Sequence, residues 1–296
     1  MQRFAIIDAP SILGLRPTGV EYLPEAMKAA GLLKRLDAEY AGKVSTLEHN
    51  SKRDEETMLL NPKAIRQFSK QLANTVTNVL QRKRFPIVLG GDCSILIGNL
   101  LALRRLGRYG LFFIDGHVDF YQPEASPTGE VADMDLAIVS GRGPHILTSI
   151  DYLKPLVRDE DIVLFGNRDN EQARNYGSQD VSETNIHIFD FEKIQKMGIT
   201  TAATQAIGKL MKSELEGFWI HLDVDVLNDK AMPAVDYRLA GGIGYEDLSQ
   251  LLQILLASGK AVEMNITIFN PKLDSDGSIA HSLVSSLIAG LSNIQK

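Results

Sequence analysis

The chain has 296 residues, enough for one large α/β domain or two small ones. It is 44% hydrophobic and 23% charged, and its net charge of −6 gives neither the basic footprint of a nucleic-acid binder nor a polybasic membrane face. Cys93 is the sole cysteine, which excludes an intrachain disulfide, and no stretch approaches the roughly 18 apolar residues of a membrane span, so the expected setting is the cytoplasm.

In chain order, Phe4–Ile7 reads as a first strand, too short an apolar run for a signal peptide. Gln67–Leu80 carries Phe68, Leu72, Val76 and Val79 at a helical period. Ile87–Leu89 is a strand that stops at Gly90-Gly91, and Ser94–Leu106 is a helix. Strands follow at Leu111–Ile114, Ile162–Phe165, Ile186–Phe189 and Trp219–Leu222. Asp247–Leu256 is helical, Val262–Phe269 is the last strand, and Ile279–Leu291 is the closing helix. Wholly apolar strands separated by helices predict a parallel sheet buried on both faces, so the expected class is a three-layer, doubly wound α/β fold. No linker or repeat divides the chain, so residues 1–296 are taken as one domain, with Gly141-Arg142-Gly143-Pro144 read as a turn.

Three polar clusters fall just after predicted strands: Gly90-Gly91-Asp92-Cys93-Ser94, Asp115-Gly116-His117-Val118-Asp119 and Asp223-Val224-Asp225. In a parallel sheet they share one edge, where ligands bind. In an extended chain, alternate residues face one side, so Asp115, His117 and Asp119 can converge on a point. Carboxylates and an imidazole crowded in a dry place call for a cation. An Asp-x-Asp pair arises by chance about once in such a chain, whereas Asp-x-His-x-Asp arises on the order of once in a hundred. The joint pattern therefore predicts a metal site.

With these motifs the sequence resembles the arginase/agmatinase (ureohydrolase) family of binuclear metal hydrolases along nearly its whole length. Asp8-Ala9-Pro10 through Gly19-Val20-Glu21 is similar to the family's opening segment. Gly90–Ser94 is similar to its Gly-Gly-Asp-His-Ser motif, Asp115–Asp119 to Asp-Ala-His-x-Asp, and His221–Asp225 to Ser-x-Asp-x-Asp. Gly241-Gly242 and Asn270-Pro271 match a further turn and an Asn-Pro. The resemblance implies an arginase-like fold and two divalent ions, usually manganese. Asp115 and Asp223 would bridge them. Asp119 and Cys93 would complete one shell, and His117 and Asp225 the other. A hydroxide between the ions would attack a trigonal guanidinium carbon, with Asp119 and His117 as the catalytic candidates. A homo-oligomer, trimer or hexamer, is implied in the same way.

The sequence also departs from that pattern. Cys93 stands where the family has a metal-binding His: it is either a packed thiol, a thiolate ligand that favours zinc, iron, cobalt or nickel, or the mark of a weakly held or lost ion. Ile268 stands where the family often has a glutamate for the guanidinium, and Glu263, an odd number of residues upstream, is expected to be structural. The segment after the second motif holds no His but carries Glu124, Glu130, Asp133 and Asp135. Glu124, Glu130 and Asp133, with Asp236 and Tyr237 from a later loop, are the candidate contacts to a small cationic substrate. An acidic site repels an α-carboxylate, which argues against arginine. His221 is read as a support behind the ligands, while His145, His187 and His281 match no motif. The expected function is metal-dependent hydrolysis of a non-peptide C–N bond in a guanidino or amidino compound. The alternatives are formimino or amide hydrolysis by the same ions, or a non-catalytic binding protein on the same scaffold.

Overall fold

A computed structural model describes residues 4–292. Eight strands, β1 (Phe4–Ala9), β2 (Glu39–Lys43), β3 (Phe85–Gly90), β4 (Gly110–Ile114), β5 (Ile162–Phe165), β6 (His187–Phe189), β7 (Phe218–Asp223) and β8 (Ala261–Thr267), form one sheet. Its order is β2-β1-β3-β8-β7-β4-β5-β6, and every pairing is parallel. Because all strands run the same way, their carboxyl ends share one edge. The chain reaches β3, crosses to β4, and only later fills the gap with β7 and β8. That crossing places the loops after β3, β4 and β7 around one crevice.

The strands are apolar throughout because both faces are covered. Along β4, Leu111 and Phe113 point into one hydrophobic cluster while Phe112 and Ile114 point into the other, the alternation a pleated strand imposes. Helices Pro62–Gln81 and Ile95–Leu106 pack in the first of these clusters, through Phe68, Leu72 and Leu100. Helices Tyr245–Ala257 and Ser278–Leu291 pack in the second, through Leu248, Leu252 and Leu283. Helices, sheet and helices make three layers, as the sequence predicts. A fully buried side chain such as Phe112 contributes about 1.5–3 kcal/mol by leaving water.

Several boundaries differ from expectation for local reasons. The Gln67–Leu80 helix begins earlier, at Pro62, whose ring suits a first turn. β8 stops at Thr267 because Ile268 takes a left-handed backbone, φ 69°. β2 escapes the sequence reading because it is an edge strand of mixed exposure, Glu39-Tyr40-Ala41-Gly42-Lys43. Gly141–Pro144 is indeed a turn, between the short helices Asp135–Val139 and His145–Thr148. Among the described residues no helix is long and apolar enough to cross a membrane.

Candidate metal centre

The loop after β3 is held tightly against the first loop of the chain. A Cβ at Gly91 would lie 1.7 Å from the Ser11 carbonyl oxygen, so only glycine fits. Asp92 braces the turn rather than facing the crevice. Its carboxylate accepts from the Ser11 hydroxyl at 2.9 Å, the Ser94 amide at 2.9 Å and the Gly14 amide at 3.2 Å. Cys93 is thereby turned inward and buried, with Sγ 2.9 Å from Asp223 Oδ2 and 3.2 Å from Thr267 Oγ1.

The second motif begins one residue past β4, so it converges through a loop and not through an extended strand. This corrects the alternation argument for Asp119, whose backbone is left-handed at φ 43°. Asp115 Oδ1 accepts the His117 amide at 2.7 Å, which curls the loop. Gly116 passes close under Asp225: its amide donates to Asp225 Oδ1 at 3.0 Å, and a Cβ there would fall 2.8 Å from that oxygen. After β7, Asp223 Oδ1 caps the turn by accepting the Asp225 amide at 2.8 Å. The outcome is a His117 Nδ1–Asp225 Oδ2 contact of 2.8 Å. Arg168 holds the Asp225 carbonyl at 2.7 Å from outside.

Charge is the governing feature. Burial, and then repulsion from their carboxylate neighbours, pushes Asp115, Asp119 and Asp223 well above the usual carboxylate range. Burial opposes the charged form of His117, but Asp225, Asp169 and Asp223 overcome it and raise its pKa to about 9. Burial also opposes ionisation of Asp225, yet the His117 contact keeps it below its ordinary value. Burial, then Asp223 and Asp135, pushes the Cys93 thiol up. Such a cluster stores repulsion that a multivalent cation would relieve.

Three sets of donor atoms lie within 4.8 Å of one another: Cys93, Asp115 and Asp223; Asp115, His117 and Asp225; and Cys93, Asp135 and His221. Asp115 Oδ2, both Asp135 oxygens and His221 Nε2 are buried without a hydrogen-bond partner. Oxygen and nitrogen donors that lack protein partners, beside the Cys93 sulfur, fit divalent metal ions.

A family model described as the arginase family matches residues 2–292. The chain belongs to the arginase family. It is 32% identical over 288 residues to an arginase from Staphylococcus aureus strain MRSA252, covering 95% of this chain and 94% of that protein. It is 31% identical over 301 residues to an arginase from Bacillus caldovelox, covering 97% and 98%. The solved arginase structure from Bacillus caldovelox superposes with a TM-score of 0.88 at 29% identity, covering all of both chains. A formimidoylglutamase from Bacillus subtilis shares the fold, with a TM-score of 0.75 at 15% identity over 99% of this chain and 87% of that one.

In this arginase-family chain a cavity of about 300 Å³ opens above the cluster. Cys93, His117, Asp119, Asp223 and Asp225 reach it, whereas Asp115, Asp135 and His221 lie outside its lining. Three expected substrate contacts line it: Glu130, Asp133 and Tyr237. The Tyr237 hydroxyl donates to Glu130 Oε2 at 2.9 Å, and Arg16 approaches Glu130 Oε1 at 3.4 Å. Two expectations are corrected. Glu124 is exposed and lines a separate surface depression with Lys63 and His145, because its loop turns away. Asp236 is engaged in bracing its loop, by the Thr18 hydroxyl and by the Asn270 amide at 2.8 Å, and does not line the cavity.

The sequence reading missed Asp169, which lines the cavity and accepts the Val118 amide at 2.9 Å. It missed Tyr121 and Tyr176 as walls, and Asp135 as a buried donor. The polar segment after β5, Gly166-Asn167-Arg168-Asp169, was the available signal for the first of these. His221, expected behind the ligands, is fully buried there, stacked on Phe113 with centroids 4.5 Å apart and with Nδ1 2.9 Å from Asn265 Nδ2. Burial lowers its pKa to about 3. Glu263 lies in β8, sealed from the cavity.

Proposed function

We propose that this protein is a binuclear-metal-dependent hydrolase of a C–N bond in a small cationic guanidino or amidino compound. The observation that carries the reading is the convergence of Cys93, Asp119, His117, Asp223 and Asp225 at one cavity, with Asp115 behind them. Asp115 and Asp223 would be shared by two divalent ions, with Cys93 and Asp119 completing one donor set and His117 and Asp225 the other. Manganese is the family habit, and the Cys93 sulfur brings zinc, iron, cobalt or nickel within range. When bound, such a pair acidifies water and supplies a nucleophile near neutral pH.

The chain's own groups account for the rest. Asp119, buried and on the cavity wall, holds and relays a proton at its carboxylate. Asp133, Asp169 and Glu130 receive the positive charge of the substrate, and Tyr121, Tyr176 and Tyr237 offer ring faces to it. Leu15 and Ile268 form apolar wall that excludes water. No Lys or Arg lines this cavity among the described residues, and its acids Glu130, Asp133 and Asp169 would repel an α-carboxylate. The reading therefore favours a decarboxylated guanidine over arginine itself. A homo-oligomer working in the cytoplasm completes the proposal, and a monomeric mass by light scattering would contradict its first part.

A panel of arginine, its decarboxylated analogue, simple alkylguanidines, formimino compounds and amides tests the function, with urea and ammonia as the readouts. Urea release from a guanidine lacking a carboxylate is the expected result. Ammonia without urea would favour a formimino or amide substrate. Neither product from any member, in metal-reconstituted protein, would support the second reading, a non-catalytic binding protein. The observation on its side is Ile268, an apolar group on the cavity wall at a left-handed backbone position.

A further inference from the structure

The geometry points to an inner cation seat beneath the cavity floor, built from Cys93, Asp135, His221 and the Oδ2 atom of Asp115, and suited to zinc. Donor atoms of Cys93, Asp135 and His221 lie within 4.8 Å of one another. Bonds of about 2.0–2.3 Å from zinc to nitrogen, oxygen or sulfur set tetrahedral donors roughly 3.3–3.8 Å apart, inside that limit. All four residues are buried, and all but Cys93 lie outside the cavity lining.

The polar accounting is what singles this place out. Asp135 is fully buried, and neither of its oxygens has a hydrogen-bond partner. His221 Nε2 and Asp115 Oδ2 are likewise without partners and lie 3.7 Å apart, too far for a hydrogen bond. Unpaired buried donor atoms on Asp135, on His221 and on Asp115 beside it are an arrangement proteins avoid unless something binds there. Asp115 divides its oxygens: Oδ1 faces His117, 2.7 Å from its amide and 3.8 Å from Nδ1, and Oδ2 faces His221. It can therefore join an inner ion to the His117–Asp225 set without a change of side chain. Cys93 belongs to two donor sets, one with Asp115 and Asp223 and one with Asp135 and His221.

Ligation through Nε2 requires the proton of His221 to sit on Nδ1. The Trp219 indole N–H, which can only donate, fixes Asn265 Oδ1 as the oxygen, 3.3 Å from Nδ1; the nearer Asn265 Nδ2, at 2.9 Å, donates to an unprotonated Nδ1, so filling the seat moves the His221 proton from Nε2 to Nδ1 and turns it to Oδ1. A sulfur, a nitrogen and two carboxylates form a mixed set of the kind zinc takes in four-coordinate sites. With every donor supplied by the protein, an ion here is structural and electrostatic. The seat rests on donor geometry and not on the hydrolase reading.

X-ray absorption at the zinc edge of the full-length protein, loaded with one equivalent of zinc, reads the donor set directly. One sulfur at about 2.3 Å and one imidazole nitrogen at about 2.0 Å are expected. The imidazole should persist in His117→Ala and vanish in His221→Asn. Asp135→Asn, close to isosteric, should weaken zinc at least tenfold in competition with a chromophoric chelator, its fold checked by circular dichroism. A spectrum without sulfur, sulfur without imidazole, an imidazole lost in His117→Ala, or unchanged affinity in Asp135→Asn would each overturn the seat. Should a variant fail to fold, nitrogen NMR of the zinc-loaded wild type decides: the Nδ1–H tautomer of His221 supports the seat, and the Nε2–H tautomer refutes it. No readout involves turnover, so an inactive protein can still fill the seat and an active one can lack it.

Discussion

Glu263→Met is expected to stabilise the protein, increasingly so as pH rises, and to leave turnover unchanged. Glu263 is fully buried in β8, opposite Trp219 of β7, and neither carboxyl oxygen has a hydrogen-bond partner. Burial pushes its pKa well above the ordinary value, so the folded protein holds a proton that the unfolded chain releases above about pH 4.3. The folded state then binds more protons than the unfolded one. Stability of the wild type falls by about 1.4 kcal/mol per pH unit above that point, for as long as the group stays protonated. The unpaired acid costs about 1–3 kcal/mol more, even where both states are protonated. Met has similar length and removes both contributions, while Glu263→Gln removes only the pH slope. Urea denaturation from pH 4.5 to 8, at fixed protein and metal concentration, measures the two together. Glu263 lies four residues below Thr267, about 13 Å down the strand, too deep to touch a substrate. A stability profile parallel to the wild type's, or a tenfold loss of kcat in Glu263→Gln, would refute the reasoning.

Other outcomes follow from the cavity. Burial, and then Glu130, raises Asp133 to about 8, and its ionised form is the one that attracts a cation. Values of kcat/KM for a cationic substrate should therefore climb up to about pH 8 and level off. Asp133→Asn should flatten that limb and lower the plateau tenfold or more, the worth of a charge-assisted hydrogen bond of about 1.5–3 kcal/mol. A pH profile identical in the two proteins would exclude Asp133 from substrate binding. Tyr237→Phe deletes the hydroxyl that donates to Glu130 Oε2 and leaves the buried carboxylate with Arg16 and Thr128. A rise in KM with little change in kcat, and about 1–3 kcal/mol lower stability, is expected. Unchanged KM and Tm would contradict that role.

How much of this was legible in the sequence depended on where each residue's partners lie. β3, β4 and β7 announced themselves because strands buried on both faces must be apolar, and the three polar clusters stood out against them. β2 did not, because an edge strand of mixed exposure has no such pattern. Asp115, His117, Asp223 and Asp225 were visible because their spaced motifs jointly follow apolar strands, although Asp119 reaches its place by a left-handed residue that no alternation rule describes. Asp135 and Asp169 were not assigned to the site, since a single acid in a polar segment carries no signal until contacts dozens of residues away fix its direction. For the same reason Glu124, Glu130 and Asp133 looked alike in sequence, while only the last two line the cavity.

Elemental analysis of protein purified without added metal tests the account's central claim most directly. Close to two divalent ions per chain is predicted, falling in Asp115→Asn because that carboxylate faces both donor sets. Protein that holds no stoichiometric metal, either as purified or after reconstitution with manganese or zinc, would contradict it.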